Sequence, residues 1–311
     1  MPDRPEKLLL LDSASLYFRA FFGVPDQRKS PDEAPTNAVR GFLDMIASLV
    51  TAHQPSHLVA CWDNDWRPQF RVDAIPTYKT HRLVDGSLTE EETPDDLAAQ
   101  VPLIRDALAA IGITRIGSDG YEADDVIGTL VHRAGGRMPV DVVTGDRDLF
   151  QLVDDAAGVR VLYTARGGVR DPDLVDEAFL TAKYAVASGR AYADMAVLRG
   201  DMSDGLPGVA GIGEKTAAKL IARYGDLAAL RAAIEGGDPE IKGAQRARLE
   251  AGSAYLDVAP VVVTVAHDAP VPDLPTELPR EVADPDLLGQ LAEDYGLTSS
   301  FKRVLTALDI I

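Results

Sequence analysis

The chain has 311 residues, 46% of them apolar, and a net charge of −18. That composition excludes disordered, collagen-like and low-complexity classes and leaves room for one large or two modest globular domains. Cys61 is the lone cysteine, so an intrachain disulfide is impossible; with no signal-peptide pattern and no apolar run of membrane length, a cytoplasmic protein is expected.

In chain order, Leu8–Leu11 reads as a strand, followed after Asp12 by a first helix that carries Arg19. Apolar residues at helical spacing predict a helix over Asn37–His53, and HLVACW predicts a strand over His57–Trp62. The stretch Leu83–Leu97 is acidic and lacks core residues, which predicts a mobile excursion. A helix over Asp96–Gly112, a strand over Ile113–Ile116, a helix over Ala123–Ala134 and strands over Val140–Thr144 and Val159–Tyr163 follow. This alternation predicts a mostly parallel sheet covered by helices, an α/β fold. From about residue 173 the pattern turns helical, over Leu174–Ala187, Ala191–Leu198, Lys215–Tyr224, Leu227–Ile234 and Pro239–Ala254. Val261–Val265 reads as a strand, and a last helix lies near Leu287–Tyr295.

Charge is unevenly placed. It is net zero over residues 1–82, −11 over 83–198, +1 over 199–248 and −8 over 249–311. A strongly acidic protein is a poor first choice for a nucleic-acid binder, yet the two windows that escape the acidity hold the most informative motifs.

Three predicted strands run into aspartates: Asp12, Asp63 and Asp146. Each alone reads better as a helix cap or turn residue. Together they converge, because strand C-termini in a parallel sheet open onto one crevice. GYEADD adds Glu122, Asp124 and Asp125 at a helix mouth, TGDRD adds Asp148, and GDMSDG adds Asp201 and Asp204. Such a density of like charge is tolerable only around hard cations with oxygen ligands. The five histidines show no ligand spacing, which argues against zinc and for Mg²⁺ or Mn²⁺. Two such ions would suit phosphodiester hydrolysis.

Basic and aromatic residues interleave after Asp63: Trp66, Arg67, Phe70, Arg71, Tyr78, Lys79 and Arg82. A solvated face explains this pattern; alternatively Arg19, Lys79 and Arg82 offset the charge of a scissile phosphate while Tyr78 stacks a base. In the second window, GLPGVAGIGEKTAAKLI places Gly208, Gly211 and Gly213 in a turn, with Lys215 and Lys219 one helical turn apart beyond it. That is either a tight helix–helix turn or a site for a DNA backbone.

LLLLDSASLYFRAFFG, WDNDWRPQFRVDAIPTYKTHR, GYEADDVIGTL, VTGDRDLFQLV and GDMSDGLPGVAGIGEKTAAKLI resemble, in order, the motif blocks of bacterial 5′-nucleases. That family comprises flap endonucleases and 5′–3′ exonucleases, including the amino-terminal domain of DNA polymerase I, and the resemblance spans residues 7–303. It implies a PIN-like nuclease domain over residues 1–180, with a helical arch near 79–100. A helical DNA-binding region over 181–311 would follow, with a helix-three-turn-helix near 200–225. It implies that Asp12, Asp63, Glu122 and Asp124 serve one divalent ion and Asp146, Asp148 and Asp201 another, with Asp125 and Asp204 acting through water. Arg19, Lys79 and Arg82 match its basic positions around the scissile phosphate. The turn would hold K⁺ through Ser203 and the carbonyls of Val209 and Ile212.

The implied substrates are DNA with 5′ flaps, nicks, gaps or free 5′ ends, processed in replication and repair, including Okazaki-fragment maturation. A monomer, nucleoid-associated and functionally linked to DNA polymerase and ligase, is expected. The arch segment departs from the family pattern in being acidic, with Asp85, Glu90, Glu91, Glu92, Asp95 and Asp96. No polymerase region follows Ile311 in this sequence, so a stand-alone nuclease is expected, with a domain of a larger polymerase as the alternative. A PIN-type ribonuclease shares the acids but not the helix hairpin, and a silent junction-binding protein leaves the full acid set unexplained.

Overall fold

The computed structural model describes residues 6–30 and 32–311. Five parallel strands, β1 (Leu8–Asp12), β2 (His57–Trp62), β3 (Thr114–Gly117), β4 (Val140–Thr144) and β5 (Val159–Tyr163), lie in the order β3-β2-β1-β4-β5. A sixth, β6 (Asp173–Val175), closes one edge antiparallel to β5. Successive residues of a strand face opposite sides. Leu8, Leu10, Val59, Cys61, Val140 and Val142 therefore enter one core cluster, and Leu9, Leu11, Leu58 and Ala60 the other. Because both faces are covered, the central strands read as unbroken apolar runs.

Handedness decides which face each helix covers. The chain steps β1 to β2 to β3 in one direction, so helices Asn37–His53 and Gln100–Ile111 pack on the same face. It then returns past β1 to β4, which sends helix Ala123–Ala134 to the opposite face. The reversal leaves a crevice at the C-terminal ends of β1 and β4, where a ligand site is expected.

Several elements differ from the sequence reading. Leu174–Ala187 is not one helix: its start is strand β6, and helix Glu177–Tyr184 begins only after Asp176 caps it by accepting the Phe179 amide. The helix expected over Asp96–Gly112 divides into Asp95–Ala98 and Gln100–Ile111, ending at Gly112 in the left-handed region. The helix expected over Pro239–Ala254 is Gly243–Ala251. Val261–Val265 is not a strand, since helix Ser253–Val263 runs through it. Pro260 cannot donate to the carbonyl of Leu256, and Arg231 donates to that carbonyl instead, at 3.2 Å. Helix Thr298–Ala307 was not anticipated; it crosses back with Pro285–Asp294 to the Asn37–His53 face, where Arg303 pairs with Asp44. The arch segment is helical only at its ends, at Thr80–Arg82 and Asp95–Ala98.

The helices between residues 189 and 263 join the core cluster of the Ala123–Ala134 face through Val197, Ala217, Leu230, Leu249 and Leu256. No helix among the described residues is long and apolar enough to cross a membrane.

Candidate active site

A cavity of about 860 Å³ opens at the strand C-termini. Asp12 ends β1, Asp63 follows β2, Asp146 follows β4, and Glu122 and Asp124 sit at the start of helix Ala123–Ala134; all five line it. Local bonds hold them there. Asp12 caps helix Ser13–Gly23 by accepting the Ser15 amide at 3.1 Å, and Thr144 Oγ1 donates to its other oxygen at 2.7 Å. The same hydroxyl accepts the Asp146 amide at 2.8 Å, so one threonine couples two acids. Asp63 accepts the Ala123 amide at 2.9 Å.

Asp148, Asp201 and Asp204 stand behind Asp146 rather than in the cavity lining. Asp148 donates its amide to Asp146 at 2.9 Å and feels the charges of Asp146, Asp204 and Asp201. Asp201 accepts from Ser203 and from Arg147 at 3.2 Å; Asp204 pairs with Arg82 at 2.8 Å.

The electrostatics record an unfavourable crowd. Burial, then the charges of Asp63 and Asp146, pushes Asp12 up to about 7. Burial and the charges of Asp146, Asp204 and Asp201 push Asp148 up to about 8. Asp124 is held well above the carboxylate range by burial and by Asp12, Asp146 and Glu122, and burial also raises Asp63. Burial raises Asp204 as well, against Lys79 and Arg82. Asp201 is the exception: burial lifts it, but the Ser203 and Arg147 hydrogen bonds outweigh that and hold it low.

No three His, Cys, Asp or Glu side chains among the described residues form a ready-made metal cage. The donor set is nonetheless all-oxygen, and Asp12, Asp63 and Asp124 within it are desolvated by burial, with no ion-pair partner among the described residues. That fits hard divalent ions, which take oxygen ligands.

Four sequence-based assignments change. Asp125 is adjacent to Asp124 in sequence but does not reach the cavity. It is 0% exposed, and its oxygens are taken by Arg71 (2.6 and 2.8 Å), the Ala266 amide and the Glu122 amide, so it has no face for an ion. Tyr78 cannot stack a base, because it is 3% exposed and its hydroxyl donates to Glu122 at 2.8 Å. Arg19 does not line the cavity; its guanidinium donates to the Thr164 carbonyl beside Gly168. Arg71 is no part of a solvated face, being 2% exposed.

Lys79 and Arg82 do line the cavity. Lys79 pairs with Glu122 at 2.9 Å; burial pulls its ammonium down, but Glu122 holds it well above its usual value. Its amide donates to the Asp204 carbonyl, which docks the turn around residue 79 on the loop of Asp201 and Asp204. The acidic segment does not stand free: Leu83 bridges to Glu91, Trp66 donates to the Thr89 carbonyl at 3.0 Å, and Glu91 and Glu92 line the cavity. Sequence reasoning missed the latter two as cavity residues, along with Arg147, Tyr17, Phe18 and Tyr163. For Arg147 a signal existed, since it sits between Asp146 and Asp148; the aromatic residues had none beyond following Asp12 and ending β5.

The glycine turn is built as expected. Gly208 and Gly211 have φ of 65° and 75°, the left-handed region open to glycine. A Cβ on Gly211 would meet the Arg248 guanidinium at 2.8 Å. Val209 and Ile212 are buried, the Ile212 amide donates to the Val209 carbonyl, and Ser203 donates its hydroxyl to Asp201. Gly213 caps helix Glu214–Tyr224, from which Lys215 and Lys219 project into solvent, unpaired among the described residues.

Family models for the N-terminal resolvase-like domain and the C-terminal SAM fold of 5′–3′ exonucleases match residues 7–185 and 187–286. A 5′–3′ exonuclease of Streptomyces coelicolor is 57% identical over 96% of this chain and 99% of its own. DNA polymerase I of Mycobacterium tuberculosis is 38% identical over 92% of this chain and 30% of its own length. Among solved structures, the bacteriophage T5 flap endonuclease in a pseudo-enzyme–product complex with DNA and metal ions superposes with a TM-score of 0.64 at 19% identity, covering 98% of this chain and 99% of that one.

Proposed function

The chain belongs to the 5′–3′ exonuclease family, and from that membership we propose a structure-specific 5′-nuclease that cuts DNA at 5′ flaps, nicks, gaps and free 5′ ends. The observation that carries this reading is the ring of Asp12, Asp63, Glu122, Asp124 and Asp146 around one cavity, with Lys79 and Arg82 in its wall. Asp12, Asp63, Glu122 and Asp124 would hold one divalent ion, Mg²⁺ or Mn²⁺. Asp146, Asp148 and Asp201 would hold a second, with Asp204 acting through water. Bound there, the ions supply Lewis acidity towards the phosphoryl oxygens and activation of the attacking water.

The protein's own groups do the rest. Lys79 and Arg82 meet the scissile phosphate from the wall and offset its charge. Thr144 keeps Asp12 and Asp146 in fixed register through two hydrogen bonds. The amides at the start of helix Glu214–Tyr224, with Lys215 and Lys219, bind the duplex backbone without reading sequence. Ser203 and the carbonyls of Val209 and Ile212 would hold K⁺ at that turn, where it would supply positive charge towards a backbone phosphate. The similarity to DNA polymerase I supports a role in replication; a nucleoid-associated monomer that processes Okazaki fragments alongside polymerase and ligase is part of the same proposal.

The test is a set of end-labelled 5′-flap, nicked and blunt duplexes and an RNA hairpin, incubated with Mg²⁺ and resolved by product length. Metal-dependent cleavage of the DNA flap in preference to RNA is expected. Cleavage of RNA alone, or of nothing, would refute the reading.

A further inference from the structure

We propose that Arg71 and Asp125 are positioning residues that lock Glu122 of the acid cavity to the C-terminal helical region. The proposal takes the identity of the cavity from the nuclease reading above, and it concerns two residues that the cavity itself does not use.

The Arg71–Asp125 pair is fully buried and paired through the two terminal guanidinium nitrogens, at 2.8 and 2.6 Å. Arg71 Nε donates to the carbonyl of Val262 at 3.0 Å, and Asp125 accepts the amide of Ala266 at 2.8 Å. Both therefore grip one stretch, residues 262–266, at the end of helix Ser253–Val263. On the other side Asp125 accepts the amide of Glu122 at 3.2 Å, and Arg71 comes within 3.5 Å of the Glu122 carboxylate. The backbone and the side chain of Glu122 are thus both referred to the same stretch. The helix is also held close there, because a Cβ on Gly128 would lie 2.6 Å from the Ala266 carbonyl. The second acid group is tied to the same place: Gln151 donates to the carbonyls of Val263 and Asp148 and accepts the amide of Val265.

Burial alone does not explain the pair. A buried ion pair is often no more stabilising than apolar residues of similar volume. What the bidentate fork adds is a fixed distance and angle between two segments. In metal sites, partners that orient a ligand typically matter 10- to 100-fold to metal affinity or activity.

The double variant Arg71→Met with Asp125→Leu replaces the pair by apolar residues and leaves no charge stranded, so it is expected to fold. Mn²⁺ binding to the free protein, measured by calorimetry, should weaken roughly 10- to 100-fold, and kcat on a 5′-flap duplex should fall on the same scale, with KM for DNA unchanged. Arg71→Lys keeps the charge but loses the fork, and should shift both quantities in the same direction by less. A folded double variant with wild-type Mn²⁺ affinity and kcat would overturn the proposal, as would a loss confined to KM. If the wild-type protein bound Mn²⁺ but cut no DNA, the nuclease reading would fall while the calorimetric comparison still decided the positioning role.

Discussion

The acid cavity and the helix-hairpin region handle charge in opposite ways. In the cavity, like charges are gathered and several are left without partners: Asp124 has neighbours of its own sign, and Lys79 offsets them only weakly. In the hairpin window most of the charge is cancelled locally. Arg199 pairs with Glu214, Arg223 with Glu240, Arg231 with Asp257 and Arg246 with Glu250, while Lys215 and Lys219 stay free. What marks the proposed binding surfaces is charge left unpaired, and a count of charges does not reveal it. Asp124 and Asp125 make the point within one dipeptide, since the first has no ion-pair partner among the described residues and the second is consumed by Arg71.

The hardest blow to this contrast is Asp146→Asn. Removing one cavity acid should lower flap cleavage by at least ~10²-fold, the scale of losing one preorganised electrostatic group, while gel-shift binding of the junction persists. Retained cleavage would break the assignment of the cavity.

Metal removal sharpens it next. Chelation should abolish cleavage and expose the repulsion among the acids. Asp12 and Asp148 are raised from 3.8 to about 7 and about 8, so the folded state binds these protons more tightly than the unfolded one. Metal-free stability should then fall as pH rises from about 4 to 8, and Mg²⁺ should restore it at the upper end. Thermal midpoints across that range, with and without Mg²⁺, check this; a flat metal-free profile would contradict it.

On the other region, Lys215→Ala with Lys219→Ala should weaken duplex binding and reduce the log–log salt slope by about two. Cleavage at saturating DNA should persist. An unchanged slope would remove the hairpin from the interface.

The smallest effect separates the two placements of Tyr78. Tyr78→Phe removes its bond to Glu122 and should cost about 1 kcal/mol of stability with no change in DNA affinity. A loss of affinity at unchanged stability would restore the base-stacking role.

Strands β1, β2, β4 and β5 and helices Asn37–His53 and Ala123–Ala134 were legible because their apolar spacing is strong and local. So was the convergence of Asp12, Asp63 and Asp146, because parallel strands must end on one side. Helix Ser253–Val263 was not, because a valine run with a proline imitates a strand until Arg231 supplies the missing donor.

The sequence by itself determined the five parallel strands, the acids at their open end and the glycine turn, all of which follow from short-range pattern. Only the tertiary structure decided which acids stay unsatisfied and which cations stay free. Arg71 reaches Asp125 across 54 positions and Val262 across 191. Whether a carboxylate serves a cavity or a core depends on such distant partners, and no local periodicity encodes them.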